Sequence, residues 1–258
     1  MIKAVFFDID GTLFSHTMKK VPESSRKAIG ILKQKGIKCL IASGRHRAGF
    51  RHLIDESLKF DGYVLSNGQL GYDGEERLIF DMPIPEEDLA KILEKFRNQE
   101  MAMMLEDENH QFANRIDDLV IRAHENVSTG LPKLGEYPGT KIYQMVAYAD
   151  PAELERFAKE IPHCRMTYWD PIAVDIIAAE GGKMWGIRQM LKHLGLKPEE
   201  VMVFGDGEND VEMIRYAGIG IAMENGEASA KEAADYVTAG VDEDGIWKGL
   251  VHYGLIEE

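Results

Sequence analysis

The sequence predicts an α/β protein whose mostly parallel, three-layer core is interrupted by an inserted α+β domain. Two observations carry this. Short apolar runs alternate with amphipathic helical stretches at both ends of the chain, and the runs end in small polar or acidic residues. Between them the rhythm changes to a hairpin and paired strands, with a junction at Met82-Pro83-Ile84-Pro85. The predicted boundaries are 1–81 and 183–258 for the core and 82–182 for the insert.

The first strand is Val5-Phe6-Phe7, which runs directly into Asp8-Ile9-Asp10-Gly11-Thr12-Leu13. A carboxylate leaving a buried strand is costly unless it is paired, metal-bound or functional. Gly11 marks a tight turn, so Asp8 and Asp10 can converge while Gly11 and Thr12 offer backbone N–H groups to an anion. Pro22-Glu23-Ser24-Ser25 then opens a helix with Ala28, Ile31 and Leu32 on its apolar face, closed by Lys35-Gly36. A second strand, 37–42, delivers Ser43-Gly44-Arg45. After another helix, a third strand beginning at Tyr63 delivers Ser66-Asn67-Gly68. Read locally, Gly44 turns the chain, Arg45 forms a surface ion pair and Asn67 caps a turn. A hairpin around Asp73-Gly74 follows.

In the insert, Pro85 opens a helix with Leu89, Ile92, Leu93 and Phe96 on one face, followed by strands at 101–105 and 110–115. Pro151 opens a second helix with Leu154, Phe157, Ala158 and Ile161 at the same spacing, followed by strands at 164–169 and 173–178. A helix-strand-strand unit occurring twice predicts one shared sheet, with 126–141 as the connection. Met101, Met103 and Met104 read as core, Glu106-Asp107-Glu108 as a solvated loop, and Tyr143, Tyr168 and Trp169 as packing residues.

The core rhythm resumes at Gly181-Gly182-Lys183, which opens a helix carrying Ile187, Met190, Leu191 and Leu194. Val201-Met202-Val203-Phe204 forms a fourth strand and ends in Gly205-Asp206-Gly207-Glu208-Asn209-Asp210. Ile219-Gly220-Ile221-Ala222 forms a fifth strand, and a last helix starts near Ile246.

With 30 basic against 44 acidic residues the net charge is −14, and no basic stripe interrupts it. Nucleic acid and anionic membranes are therefore excluded as expected partners. An anionic substrate would need local positive charge. The N-terminus lacks signal-peptide character and no apolar run reaches membrane-spanning length, so the expected location is cytoplasmic. Cys39 and Cys164 show neither disulfide nor metal-ligand patterning, and His46, His110, His124 and His163 show no i, i+4 pairing.

Strand and helix ends thus present Asp8, Asp10, Ser43, Lys183, Asp206 and Asp210 to one sheet edge. Such crowded carboxylates call for a hard divalent cation, for which Mg²⁺ is the choice, and zinc lacks its His and Cys ligands. Asp8 is the candidate nucleophile on phosphorus. Lys183, Ser43 and backbone N–H groups near Thr12 and Gly44 would stabilise the transferring phosphoryl group. Asp10 would move the proton, which predicts a raised pKa.

These four motifs, Asp8-Ile9-Asp10-Gly11-Thr12, Ser43-Gly44-Arg45, Lys183 and Gly205-Asp206-Gly207-Glu208-Asn209-Asp210, resemble those of haloacid dehalogenase superfamily phosphatases of the Cof type, which have a Rossmann-like core and a large α+β cap. The resemblance implies Mg²⁺ held by Asp8, the Asp10 carbonyl and Asp206, with Asp210 behind them. Gly11, Thr12, Ser43, Gly44, Lys183 and Asn209 would bind the phosphate. It also implies a small phosphorylated metabolite as substrate, such as a sugar, flavin or pyridoxal phosphate, and a monomer or homodimer. Met184-Trp185 departs from the small residues common after the family's lysine. A phosphomutase of the phosphomannomutase type and a non-catalytic phospho-acceptor module stay open as alternatives.

Overall fold

The computed structural model describes residues 1–50, 53–54, 58–126 and 130–257. In chain order the first elements are β1 (Ala4–Phe7), α1 (Glu23–Gln34), β2 (Lys38–Ala42), α2 (Arg47–Phe50), β3 (Gly62–Leu65), β4 (Leu70–Asp73) and β5 (Leu78–Asp81). Next come α3 (Glu86–Asn98), β6 (Ala102–Glu106), β7 (Gln111–Ala113), α4 (Asp118–Asn126), β8 (Gln144–Tyr148), α5 (Pro151–Glu160), β9 (Cys164–Asp170) and β10 (Ala173–Ala178). The chain ends with α6 (Lys183–Leu194), β11 (Val201–Gly205), α7 (Val211–Tyr216), β12 (Ile219–Ala222), α8 (Ala228–Ala233), β13 (Tyr236–Val237) and α9 (Gly245–His252). Two compact units result: Met1–Phe80 with Lys183–Glu258, and Asp81–Gly182. Asp81, placed with the core by sequence, groups with the insert because its carboxylate accepts from Lys141 and from the Tyr143 hydroxyl.

The larger unit holds an eight-stranded sheet in the order β13-β12-β11-β1-β2-β3-β4-β5, parallel from β13 to β3 and antiparallel at β3–β4. β1 lies between β2 and β11. All four of its residues, Ala-Val-Phe-Phe, are fully buried, as a strand covered on both faces by helices requires. One face packs Phe6, Leu40 and Val203 against Ile187, Met190 and Leu191 of α6. α1 buries Ala28, Ile29 and Leu32, so Ile29 takes the place expected of Ile31. Trp185 meets Phe80 edge to face at 5.5 Å, which accommodates the unusual bulk after Lys183.

The smaller unit holds a five-stranded antiparallel sheet, β7-β6-β8-β10-β9. The two helix-strand-strand units flank β8, a strand that sequence periodicity did not reveal because it is buried throughout. α3 and α5 cover one face, packing Ile92, Phe96, Leu154 and Phe157 on Met103, Met145 and Ile176. α4 covers the other through Val120 and Ala123. α5 is capped by Asp150, which accepts from the Glu153 N–H with Pro151 at the first turn. Glu106 and Asp107 are not a solvated loop. Glu106 is a buried β6 residue that accepts from Gln111, and buried Asp107 accepts from the Asn109 and His110 N–H groups. Tyr143 is buried and Trp169 packs beside α4, whereas Tyr168 is exposed. Among the described residues no helix is long and apolar enough to cross a membrane.

Gly186 on α6 lies so close to β3 that a Cβ there would sit 2.9 Å from the Gly68 backbone. Overpacking against backbone outweighs any gain in helix propensity, so Gly186→Val is expected to cost about 1–3 kcal/mol. A lowered urea midpoint with unchanged slope would show this, and an unchanged midpoint would refute it.

Candidate active site

The site grows from the carboxyl end of β1. The strand ends at Phe7, and the Asp8 N–H donates to the Phe204 carbonyl at 3.0 Å. The chain then closes a tight loop in which the Leu13 and Phe14 N–H groups both reach the Ile9 carbonyl. Gly11 adopts φ +76°, and a Cβ there would lie 3.0 Å from the Asp206 carboxyl carbon, so glycine is required twice over. The loop's closure overturns one expectation. The Gly11 and Thr12 N–H groups donate within the loop, to the Phe14 and Ile9 carbonyls, and are not presented to an anion. The Thr12 side chain does enter the site, donating to Asp206 Oδ1 at 2.7 Å.

Lys183 opens α6 and is buried. Its ammonium donates to Asp8 Oδ1 and to Asp210 Oδ1, each at 2.6 Å. Asp210 in turn accepts from the Asp206 and Gly207 N–H groups at 2.8 and 3.0 Å, which folds the loop after β11 onto the site. Gly205 permits this, since a Cβ would come within 2.6 Å of the Asp210 side chain. Oxygen atoms of Asp8, Asp206 and Asp210 all lie within 4.8 Å of one another. Three carboxylates against one ammonium leave two negative charges in a buried space. Like charges about 4 Å apart cost on the order of 4 kcal/mol even at an effective dielectric of 20. Burial accordingly raises the Asp8 pKa; Lys183 opposes the rise, and Asp210, Asp206 and Asp10 add to it. Burial and the Asp210 charge push Asp206 up to about 7. An all-oxygen donor set carrying surplus negative charge fits a hard divalent cation.

A second network lies at the ends of β2 and β3. In the sheet register Phe7 is level with Ile41, which places Ser43 just beyond Asp8 on the adjacent strand. The Ser43 N–H donates to the Val64 carbonyl, its carbonyl accepts from the Asn67 N–H, and its hydroxyl accepts from the Arg45 N–H. Ser66 and Asn67 both take left-handed backbone angles. That turn brings the Asn67 side chain over Gly44, where a Cβ would be 3.0 Å from Asn67 Oδ1. Asn209 donates to the same oxygen at 2.9 Å. Asn67 is therefore more than a turn cap, because it joins the second and fourth motifs, and Asn209 is engaged with it.

Asp8 and Asp10 do not share partners. The Asp10 carboxylate is held bidentately by Arg45, Nε to Oδ2 at 2.6 Å and Nη2 to Oδ1 at 2.7 Å, with His16 Nε2 2.9 Å from Oδ1. Burial alone would raise its pKa, but the hydrogen bonds from His16 and Arg45 prevail and hold it well below the usual carboxylate range. The raised pKa expected from sequence is thus reversed. Two participants were not foreseen. His16 lies on the loop that folds back through the Asp10–Phe14 bridge, and its only sequence signal is closeness to the first motif. Asn225 donates to the Gly11 carbonyl at 2.8 Å from 214 residues away and accepts from the Val241 N–H, so it supports the loop from outside.

A model of the haloacid dehalogenase-like hydrolases matches residues 5–250. The chain is 31% identical to YkrA of Bacillus subtilis (strain 168), a candidate phosphatase by its name, over 99% of each chain. It is similar in structure to BT1666 of Bacteroides thetaiotaomicron, studied among the phosphatases of the haloalkanoate enzyme superfamily. The TM-score is 0.91 at 30% identity, covering 99% of this chain and 96% of that one. It is similar also to the subclass IIB sugar phosphatase BT4131, with a TM-score of 0.87 and 33% identity over 98% of this chain and 100% of that one.

The hydrogen bond to Asp10 raises the His16 pKa above its ordinary 6.5. The pair's contribution to stability is therefore complete between the ordinary aspartate value of 3.8 and pH 6.5, fades as pH rises through the raised histidine value, and is lost as pH falls through the depressed aspartate value. NMR titration is expected to place the His16 midpoint above 6.5, with Asp10→Asn returning it towards that value. A wild-type midpoint at or below 6.5 would contradict the pairing.

Proposed function

We propose that this chain, which belongs to the haloacid dehalogenase-like hydrolases, is a Mg²⁺-dependent phosphatase that hydrolyses phosphate monoesters of small metabolites through an aspartyl-phosphate on Asp8. The observation that carries the reading is the buried lysine shared at 2.6 Å by Asp8 and Asp210, with Asp206 in the same cluster. Burying a lysine and three acids is costly, and a turnover site accounts for it. The similarity to a sugar phosphatase makes sugar phosphates the first class to test.

In this mechanism an Asp8 oxygen attacks phosphorus and the bond from phosphorus to the ester oxygen breaks; Asp10, ionised while Arg45 and His16 hold both its oxygens, gives a proton to the departing oxygen only after taking one up from solvent as that pairing opens. Water then attacks the phosphoenzyme, Asp10 takes its proton, and phosphate leaves as the Asp8 carboxylate is restored. Lys183 fixes the orientation of the Asp8 carboxylate throughout. Ser43 and the Gly44 backbone bind the phosphoryl oxygens, with Asn209 and Asn67 holding the neighbouring loops in place. Asp8, the Asp10 carbonyl and Asp206 would hold Mg²⁺, with Asp210 supporting them. When bound, the cation supplies charge neutralisation for the carboxylates and the phosphoryl group.

Asp8→Asn is expected to abolish release of free phosphate from p-nitrophenyl phosphate and to prevent any acid-stable phosphoenzyme. Retained turnover would refute the nucleophile. Free phosphate, as opposed to an isomerised sugar phosphate, is the expected product from hexose phosphates.

Mg²⁺ is expected to raise the melting temperature, with stabilisation of about 2.7 kcal/mol at a hundred times its Kd, and Asp206→Asn should remove most of the effect. Because Asp206 is protonated up to about pH 7 without the cation, affinity should be weaker at pH 6 than at pH 8. A Mg²⁺ response that is independent of Asp206 would refute the assignment.

A further inference from the structure

The loop after β3 meets the segments that follow β2 and β11. Two successive residues in it, Ser66 and Asn67, take left-handed angles at φ 48° and 51°, a conformation that asparagine tolerates and most side chains avoid. Hydrogen bonds hold them there. The Ser66 N–H donates to the Arg45 carbonyl at 3.0 Å and the Asn67 N–H to the Ser43 carbonyl at 3.1 Å. The buried Asn67 amide packs on Gly44, where a Cβ would stand 3.0 Å from Oδ1 and 3.1 Å from Nδ2. Asn67 Oδ1 also accepts from Asn209 Nδ2 at 2.9 Å. At its other end Asn209 Oδ1 is turned towards Gly207, where a Cβ would sit 2.9 Å away. An amide nitrogen carries two donors. One Asn209 N–H is spent on Asn67, and the second has no partner among the described residues. Reversing the Asn209 amide would set its oxygen against Asn67 Oδ1, acceptor against acceptor, so the pairing selects the donor end.

We propose that Asn67 is a positioning residue that fixes the Asn209 amide so that its second N–H is given to a phosphoryl oxygen bound beside Gly44. This rests on the phosphatase reading above. A donor to a phosphoryl oxygen makes a charge-assisted hydrogen bond, whereas an amide oxygen in its place repels the anion. Asn67 itself touches no reacting atom in this scheme. Its loss should let the Asn209 amide rotate and weaken phosphate binding, with the acid cluster and its cation unaffected.

Inorganic phosphate is the probe. Its competition with p-nitrophenyl phosphate in Mg²⁺ gives a Ki that reports binding apart from chemistry. Asn67→Gly removes the amide and keeps the left-handed backbone accessible, so its effect is separate from strain. Asn67→Gly and Asn209→Ala are each expected to raise the Ki about tenfold, the loss of one hydrogen bond to a charged group. The Mg²⁺-dependent rise in melting temperature, measured without phosphate, should match wild type in Asn67→Gly. Because Asn67 acts through Asn209, the double variant should lie within about twofold of Asn209→Ala alone. A wild-type Ki in folded Asn67→Gly, or two losses that multiply in the double variant, would overturn the positioning role and leave the phosphatase reading intact. Wild-type protein supplies a test that needs no folded Asn67 variant. The side-chain N–H signals of Asn209, identified by their loss in Asn209→Ala, should shift in NMR spectra when phosphate is added, and unmoved signals would likewise overturn the role. Wild-type protein that neither cleaves the ester nor binds phosphate would overturn both.

Discussion

The ion-paired Lys183 is the interaction on which the rest of the site depends. Its ammonium, shared by Asp8 and Asp210, ties the end of β1 to the start of α6 and the loop after β11. Each of these segments is fixed by its own backbone. β1 is buried on both faces, and Asp210 is gripped by two N–H groups of the Asp206–Gly207 turn. The burial pushes the lysine's pKa down and the two carboxylates push it further up, so it remains charged. Removing one partner would strand a buried charge, a loss of several kcal/mol, whereas the intact group is close to balanced. The geometry is therefore rigid for a reason separate from any rate it supports.

Around this fixed centre the two aspartates of the first motif have opposite environments. Asp8 is enclosed, faces other acids and resists ionisation. Asp10, two residues later, is gripped by an arginine and a histidine and ionises with ease. The divergence runs opposite to the proposed jobs, since a nucleophile has to be ionised and a general acid protonated. It comes from the loop at Gly11, which turns the chain so that successive acids meet different walls of the same unit.

Much of this was legible in the sequence, and the remainder failed for identifiable reasons. The parallel core, the acids at its strand ends and Lys183 at a helix start were readable because buried strands are nearly pure apolar runs and their polar terminators stand out. The repeated helix-strand-strand unit was readable from matching apolar spacing. β8 was not, since all five of its residues, Gln144 included, are buried and no alternation survives. The acidity of Asp10 was misjudged because its partner Arg45 is 35 residues away and acts only through tertiary structure. Asn225 gave no signal for the same reason, and the Gly11 and Thr12 amides were misassigned because a tight loop consumes its own donors.

The position of β1 has a consequence for the order in which the chain acquires its structure. β1 emerges before both of its partners, pairs with β2 on one side, and has its other side completed only by β11, about 200 residues later in the sequence. Until then Ala4–Phe7, buried at every residue in the finished fold, is an edge strand, open on one side and strongly apolar. The inserted segment, with a hydrophobic core of its own, lengthens that interval. The nascent chain thus passes through a stage in which the strand that leads into Asp8 is an aggregation hazard. Lys183 and Asp206 arrive at the end of that stage, so the closing of the sheet and the assembly of the acid cluster are one event.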